Sequence, residues 1–374
     1  MFYIALRMLV GDTPKFIALV FGLAFATTLV VQQGAIFTGI MRRTARGIEN
    51  VPQAEIWVMD PATVYYDERR PLPDSALLRV RSVTGVAWAV PFFVGGGTAQ
   101  LPDGSYSQVQ IVGVDRQSKI GMPQAYESGD PHMLDDPETV FWDNLNMDLY
   151  RNVHPGDTLQ VNDHRARVVG LAAAPRAFTP GPVVYTTYER ALDYAPSERR
   201  RLTFVLAGAQ PGESPDVVAQ RIREKTGLGA MSSSEFFWAT VKTNMRRIPA
   251  TINFAITILL GLIVGVAVAI QTFSAFVLEN TKHFGALKAM GTSNFMLVKM
   301  VLMQAIVVGL LGWGLGVGAA CVFGSQITPR SPLVFMLTPQ LLGISFVAML
   351  VAVMVAALMS IGRILRIEPA IVFR

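Results

Sequence analysis

Four stretches of this 374-residue chain are long and apolar enough to cross a membrane, and they restrict its fold before any other feature does. A helix needs about 20 mostly apolar residues to span the hydrocarbon. The stretches cover 16–40, 248–276, 295–323 and 341–361, and none carries a Lys, Arg, Asp or Glu near its centre. Lys299 lies close to the start of the third. Only 16% of residues are charged, against about 25% in a soluble domain. The deficit is confined to these runs, so the chain is part membrane protein and part globular domain. A signal-peptide reading of the first run rests on Arg7, Lys15 and an Ala24-Phe25-Ala26 cleavage-like site. Apolar residues continue past it through Leu29, Val30 and Val31, which favours a span.

Basic residues beside short loops set the orientation. Arg7, Lys15, Lys282, Lys288, Lys299, Arg363, Arg366 and Arg374 fall on one side, whereas the short loop 324–340 holds only Arg330. Arg42, Arg43, Arg46, Arg246 and Arg247 flank a long segment, and long segments translocate largely regardless of charge. Both termini are therefore expected in the cytoplasm and residues 41–247 outside it. The net charge of +5 is accounted for by topology, not by nucleic acid. The single cysteine, Cys321, sits in an apolar run, so no intrachain disulfide is available to the outer domain.

The fold class that follows is an α-helical membrane protein with four transmembrane helices and a mixed α/β extracytoplasmic domain inserted between helices 1 and 2. In that domain Ala54–Met59 reads as a strand, Pro73–Val83 as a short helix and Val86–Val94 as a strand. Pro102-Asp103-Gly104-Ser105 turns a hairpin between Thr98–Leu101 and Tyr106–Val114. Leu202–Leu206 reads as a strand and Ser214–Thr226 as a helix ended by Gly227. These make two β-α-β-like halves. Between them an inserted subdomain, about 120–194, holds two short strands around the Asn162-Asp163-His164 turn.

Catalytic signatures are missing. There is no G-x-x-x-x-G-K-[ST] loop to hold ATP, no HExxH and no cysteine pair. The chain is therefore expected not to be an enzyme, with no cofactor or metal of its own. Asp130, His132, Asp135 and Asp136 are close enough in sequence to hold a cation, but Pro131 and Pro137 mark an exposed turn, the simpler reading. Gly95-Gly96-Gly97 reads as an anion cradle or, lacking a following helix, as a flexible strand end. Thr27, Thr28, Gln32, Gln33, Gln271 and Gln304 within the spans either line a path or bond helix to helix. Gly261 with Gly265, and Gly309, Gly312, Gly314, Gly316 and Gly318, allow close helix packing; Gly261, Gly265, Gly314 and Gly318 are the packing positions singled out.

The segment 277–294 is the most specific. In it Glu279 suits the start of a short helix and Gly291 its end. Phe284, Leu287 and Met290 recur at helical spacing, with Lys282 and Lys288 elsewhere on the surface and Gly285 small enough for close approach. A short loop is expected to offer no core to bury that face. It is expected to dock into another protein's groove or to lie on the lipid surface.

Glu279 through Thr292 resembles the E-[RN]-x-x-E-x-G-x-L-[RK]-A-[ML]-G coupling segment of the MacB/FtsX/LolC superfamily of ABC-transporter permeases, with His283 where that pattern has its second Glu. Ala5-Leu6-Arg7-Met8-Leu9, within 1–15, is similar to the family's amphipathic N-terminal helix. Arg363 through Ala370, in the tail 362–374, is similar to its closing P-A-x-x-L-R signature, with Val372-Phe373-Arg374 in place of the usual ending. The residues from Gly156 to Gly170 resemble its extracytoplasmic domain. The nearest resemblance is to the DevC-like branch. It implies a homodimeric permease of the bacterial inner membrane with its large domain in the periplasm. ATP and Mg would bind a separate cytoplasmic ATPase, which meets Glu279, Lys282, Phe284, Gly285, Leu287, Lys288, Met290 and Gly291. A periplasmic adaptor and an outer-membrane channel would complete an exporter of a lipid or other amphiphile. An FtsX-like signalling scaffold and a membrane-anchored enzyme are the alternatives, the last disfavoured by the missing catalytic groups. Reporter fusions at Asp103 and Gly208 are expected to report outside the cytoplasm, and fusions at Thr281 and Arg374 inside; a cytoplasmic signal at Asp103 contradicts this topology.

Overall fold

The computed structural model describes residues 2–11, 13–143, 153–174, 181–196, 201–327 and 334–365. Arg330 and most of the tail signature, from Arg366 to Arg374, lie outside these, as do the side chains of Lys282 and Arg363. The chain forms two compact units, one from Met1–Gly39 with Pro249–Arg374 and one from Ile40–Ile248. It opens with α1 (Phe2–Gly11) and α2 (Thr13–Thr44). The second helix runs uninterrupted through Ala24–Ala26, where the cleavage-like site was read.

The α/β unit starts with α3 (Arg46–Glu49), β1 (Ile56–Met59), α4 (Ala76–Arg81), β2 (Val86–Gln100) and β3 (Tyr106–Val114). After β4 (Tyr126–Ser128) come β5 (Thr139–Asp143), β6 (Thr158–Val161), β7 (His164–Ala172), β8 (Val183–Thr187) and α5 (Tyr188–Tyr194). It closes with β9 (Phe204–Ala209), α6 (Pro215–Thr226), β10 (Gly229–Ser232) and α7 (Ser233–Arg247). The two β-α-β halves, β1-α4-β2 and β9-α6-β10, interleave into one sheet of order β10-β1-β9-β2. Strand alternation divides its side chains. Ile56 and Val58 join Val80, Val218 and Ile222 under α4 and α6. Trp57 points the other way into Tyr66, Phe92, Phe204 and Phe236, and its indole N–H donates to Ser233 Oγ at 3.0 Å. Gly227, at φ +67°, ends α6 in the left-handed conformation expected of it.

β2 is long enough to serve two sheets. Val86–Phe92 pairs with β9, and Phe93–Gln100 pairs with β3. Beyond that point pairing runs β2-β3-β8-β5-β7-β6 and returns from β6 to β2, closing a six-stranded barrel. Phe93, Ile111, Val140, Trp142, Val161, Val168 and Val184 share its core. The barrel thus draws on residues from Phe93 onward, earlier than the 120–194 subdomain, because one strand is common to both sheets. Its β6–β7 hairpin turns on Asn162 and Asp163, both at positive φ.

The chain then returns through α8 (Ala250–Glu279), α9 (Thr281–Ala289), α10 (Asn294–Gln326) and α11 (Pro339–Leu365). Among the described residues four helices are long and apolar enough to span a membrane: Thr13–Thr44, Thr251–Phe276, Asn294–Gln326 and Pro339–Ser360. Lipid offers backbone groups no partners, so such segments are helical. Small residues let them approach. A Cβ at Gly265 would sit 2.7 Å from the Cβ of Ala26, whereas Gly261 has only ordinary contact with Leu29 and Val30 at 3.6 Å. On α10 the expected packing positions need correction. Gly314 and Gly318 have nothing within 4 Å of a built Cβ. Gly312 and Gly316 carry the close approach, at 2.7 Å to Leu23 Cβ and 2.5 Å to Thr27 Cβ. Positions two apart on a helix lie roughly 200° apart, so one pair must face away from the contact the other makes. The Thr28 hydroxyl, bonded to the Ala24 carbonyl of its own helix at 2.8 Å, also lies 3.2 Å from the Gly316 carbonyl, and the Trp313 indole donates to Ser345 Oγ at 3.2 Å, the latter a helix-to-helix use of an intramembrane polar group.

A matched pair tests this assignment. Gly316→Ala is expected to lower stability in detergent by about 1–3 kcal/mol through overpacking, and Gly314→Ala to leave the unfolding temperature unchanged. Equal effects from the two contradict it.

Candidate functional site

The 277–294 segment is built as a tight helical turn between α8 and α10. Asn280, at φ −84° and ψ 11°, separates α8 from α9. Glu279 is therefore the last residue of α8, not the start of the short helix, and its carboxylate is ion-paired with Lys15. Gly291 ends α9 at φ +89°. Its N–H donates to the Lys288 carbonyl at 3.0 Å and that of Thr292 to the Leu287 carbonyl at 3.1 Å, the paired bonds of a Schellman ending. The Ser293 side chain then caps α10 by accepting from the Met296 N–H.

The expected apolar face does not stay exposed. Phe284 is 1% and Leu287 7% exposed. They pack in a core with Leu9 of α1, Phe276 of α8 and Leu297 of α10. The spacing was correctly helical, but a core exists, supplied by α1 and the ends of the spans. Gly285 is buried with them. Met290 is 74% exposed because α9 has ended before it. Phe295, the second residue of α10, is 77% exposed. The outward surface of the turn is thus His283, Ala289, Met290, Gly291 and Phe295, with Lys288 half-buried.

Beside this turn lies an open groove of about 760 Å³ lined by Tyr3, Arg7, Met8, Glu279, Asn280 and His283, among others. It holds both the basic residue of α1 and the histidine that departs from the family pattern. Phe295 and Tyr3 were not singled out from sequence. Phe295 counted as part of a span, and only the break at Gly291–Ser293 signalled that it begins one on the water side.

The other sequence candidates resolve differently. Asp130 accepts from the His132 N–H at 2.9 Å, an Asx turn, and Asp135 accepts from Lys119 Nζ at 2.5 Å. That hydrogen bond holds the Asp135 carboxyl below its usual range. Asp136 pairs with Arg167 at 3.7 Å. No group of three or more metal-type ligands occurs among the described residues. These acids serve the turn.

Residues 16–225 match the MacB-like periplasmic core domain family, more than half of the chain, and residues 255–369 match the FtsX-like permease C-terminal family. The chain belongs to the MacB/FtsX family of ABC transporter permeases. It is similar to an uncharacterized ABC transporter permease of Mycobacterium tuberculosis, found in two strains, with 25% identity over 81% of this chain and 79% of the relative. Among solved structures it is similar to the periplasmic region of MacB from Actinobacillus actinomycetemcomitans, at TM-score 0.37 and 14% identity over 53% of this chain and 96% of that one. It is also similar to the extracellular domain of the ABC-type transporter YknZ from Gram-positive bacteria, at TM-score 0.34 and 12% identity over 48% and 98%. The permease is a membrane protein whose α/β unit is of the family's extracytoplasmic type.

Proposed function

We propose that this permease is the membrane subunit of an exporter that converts closure of a separate cytoplasmic ATPase into movement of its periplasmic domain. The observation that carries the reading is the two-sided turn at α9. Its inner face, Phe284 and Leu287, is locked among α1, α8 and α10, and its outer face leaves Met290 and Phe295 exposed. A push on the outer face therefore moves helices and not a loose loop. α2 is one uninterrupted helix from Thr13 to Thr44, joined by the Lys15–Glu279 ion pair to the end of α8, so displacement travels along its length.

ATP and Mg belong to the ATPase, and the coupling set is Glu279, Lys282, Phe284, Gly285, Leu287, Lys288, Met290 and Gly291. Within it Phe284, Gly285 and Leu287 anchor the turn, and Met290 with Phe295 makes the apolar contact. Thr28 near Gly316 and Trp313 bonded to Ser345 spend intramembrane polar groups between helices, which favours mechanical transmission over a polar path through the spans. A homodimer in the inner membrane, an adaptor, an outer-membrane channel and a lipid or amphiphile cargo, as in DevC-like systems, complete the proposal. An FtsX-like scaffold uses the same mechanics with a different outer partner.

Copurification with the partner ATPase tests it. Burying a side chain the size of Met or Phe is worth about 1.5–3 kcal/mol, so Met290→Asp and Phe295→Asp should each weaken ATPase capture roughly tenfold or more at normal membrane levels. ATP turnover should appear only when the ATPase is added. Wild-type capture by both variants rules out this surface as the docking element.

A further inference from the structure

α7 is tied to the extracytoplasmic side of the membrane near both of its ends. Arg247, its last residue, adjoins the apolar stretch 248–276. Ile248 is extended, at φ −84° and ψ 114°, so α7 ends before α8 begins and the two need not share an axis. Near the other end Phe237 lies under the Arg42 guanidinium, 5.6 Å from its ring centre. Arg42 itself stands just beyond the apolar stretch 16–40. At about 1.5 Å per residue, roughly 15 Å of helix runs between these two tethers. A helix held to one surface near both ends lies along that surface. Held only at Arg247, it would be free to lift Phe237 away.

One side of α7 is occupied by its own folded unit, where Phe236, Phe237, Thr240, Val241 and Asn244 are buried. Trp238, Lys242, Met245 and Arg246 recur at helical spacing on the other side and are exposed, Trp238 by 61% and Met245 by 41%. The only acid on α7, Glu235, is paired with Arg223 at 3.6 Å. The outward stripe is therefore apolar and basic together. Beside Trp238 opens a groove of about 480 Å³, walled by Ile48, Pro52 and Phe237. Its carboxylate, Glu49, meets Arg42 at 3.2 Å and Arg46 at 2.6 Å, so positive charge is in excess there too.

We propose that α7 lies on the extracytoplasmic leaflet of the membrane. Trp238 and Met245 sit among the lipid headgroups, and Lys242 and Arg246 meet the phosphates of anionic lipids. Tryptophan suits this level, with an apolar ring and a polar N–H to divide between the two phases. A cation beside a negatively charged bilayer gains roughly fivefold in occupancy. A helix with one face in a folded unit and the other both apolar and basic has the make-up of an interfacial helix. The bilayer is also the partner that the two tethers bring to this face; a soluble protein would have to displace it. The contact would hold the α/β unit to the membrane beyond its two chain connections. The inference rests on residues 41–247 lying outside the cytoplasm, which the reporter fusions test separately, and not on the transport role.

Spin labels on the full-length protein in lipid nanodiscs test it, with the exposed Cys321 first replaced by Ala. One label is placed at Ser234, on the exposed side of α7 and roughly 20 Å of helix from Pro249. The other is placed at Tyr106, at the start of β3 and 72% exposed. The readout is relaxation of the label by an uncharged nickel chelate in the water. In equal parts of phosphatidylcholine and phosphatidylglycerol the Ser234 label should be shielded and the Tyr106 label open. Lys242→Gln with Arg246→Gln should shift docking roughly thirtyfold and open the Ser234 label at an unchanged unfolding temperature. Trp238→Ala, or phosphatidylcholine alone, should open it as well. Equal nickel access at Ser234 and Tyr106 in the mixed bilayer overturns the proposal. Shielding of Ser234 that persists in phosphatidylcholine and in the double variant assigns the face to a second copy or another protein, and overturns it too.

Discussion

A short apolar helix between two membrane spans must put its nonpolar face somewhere, and here Phe284 and Leu287 put it into the bundle of their own chain. Burying two such side chains is worth about 3–6 kcal/mol in transfer terms. That is enough to hold α9 to α1, α8 and α10 as one body. The Schellman ending at Gly291 and the Ser293 cap then fix where the chain reverses. Because the inner face is occupied, whatever meets the turn must do so through its end and its outer side. Met290 and Phe295 are apolar there without a core to account for them.

Within the membrane the same logic is expressed by glycine. Lipid tails are as apolar as leucine, so helices gain little by hiding leucine from them and associate where backbones can come close. α10 does this with Gly312 and Gly316 against α2, and α8 does it with Gly265 against Ala26. In the α/β unit the organising element is β2, which serves a sheet with one half and a barrel with the other. Sharing one strand ties the two layers together.

Much of this was legible in the sequence because the signals are local. Apolar length marked the spans, Pro102–Ser105 marked the hairpin and Gly227 the end of α6. The helical spacing of Phe284 and Leu287 was also legible; which way they face was not, because that depends on α1, nearly 280 residues away in the chain. The same limit applies to α10, where a run of alternate glycines says that some face packs without saying which. Barrel closure was hidden for a related reason: β6 returns to β2 only through Ala99 and Gln100, a contact that no periodicity records. Family resemblance suggested a coupling role for the turn, and the structure shows which of its residues are buried and which are exposed.

The central claim is that Leu287 faces in and Met290 faces out, and thermal unfolding of two variants in one detergent tests it most directly. Leu287→Asp places an unpaired carboxylate in the bundle core and should cost about 3 kcal/mol or more, whereas Met290→Asp should unfold at the wild-type temperature. Equal unfolding temperatures for the two variants, or a larger loss from Met290→Asp, would contradict the account.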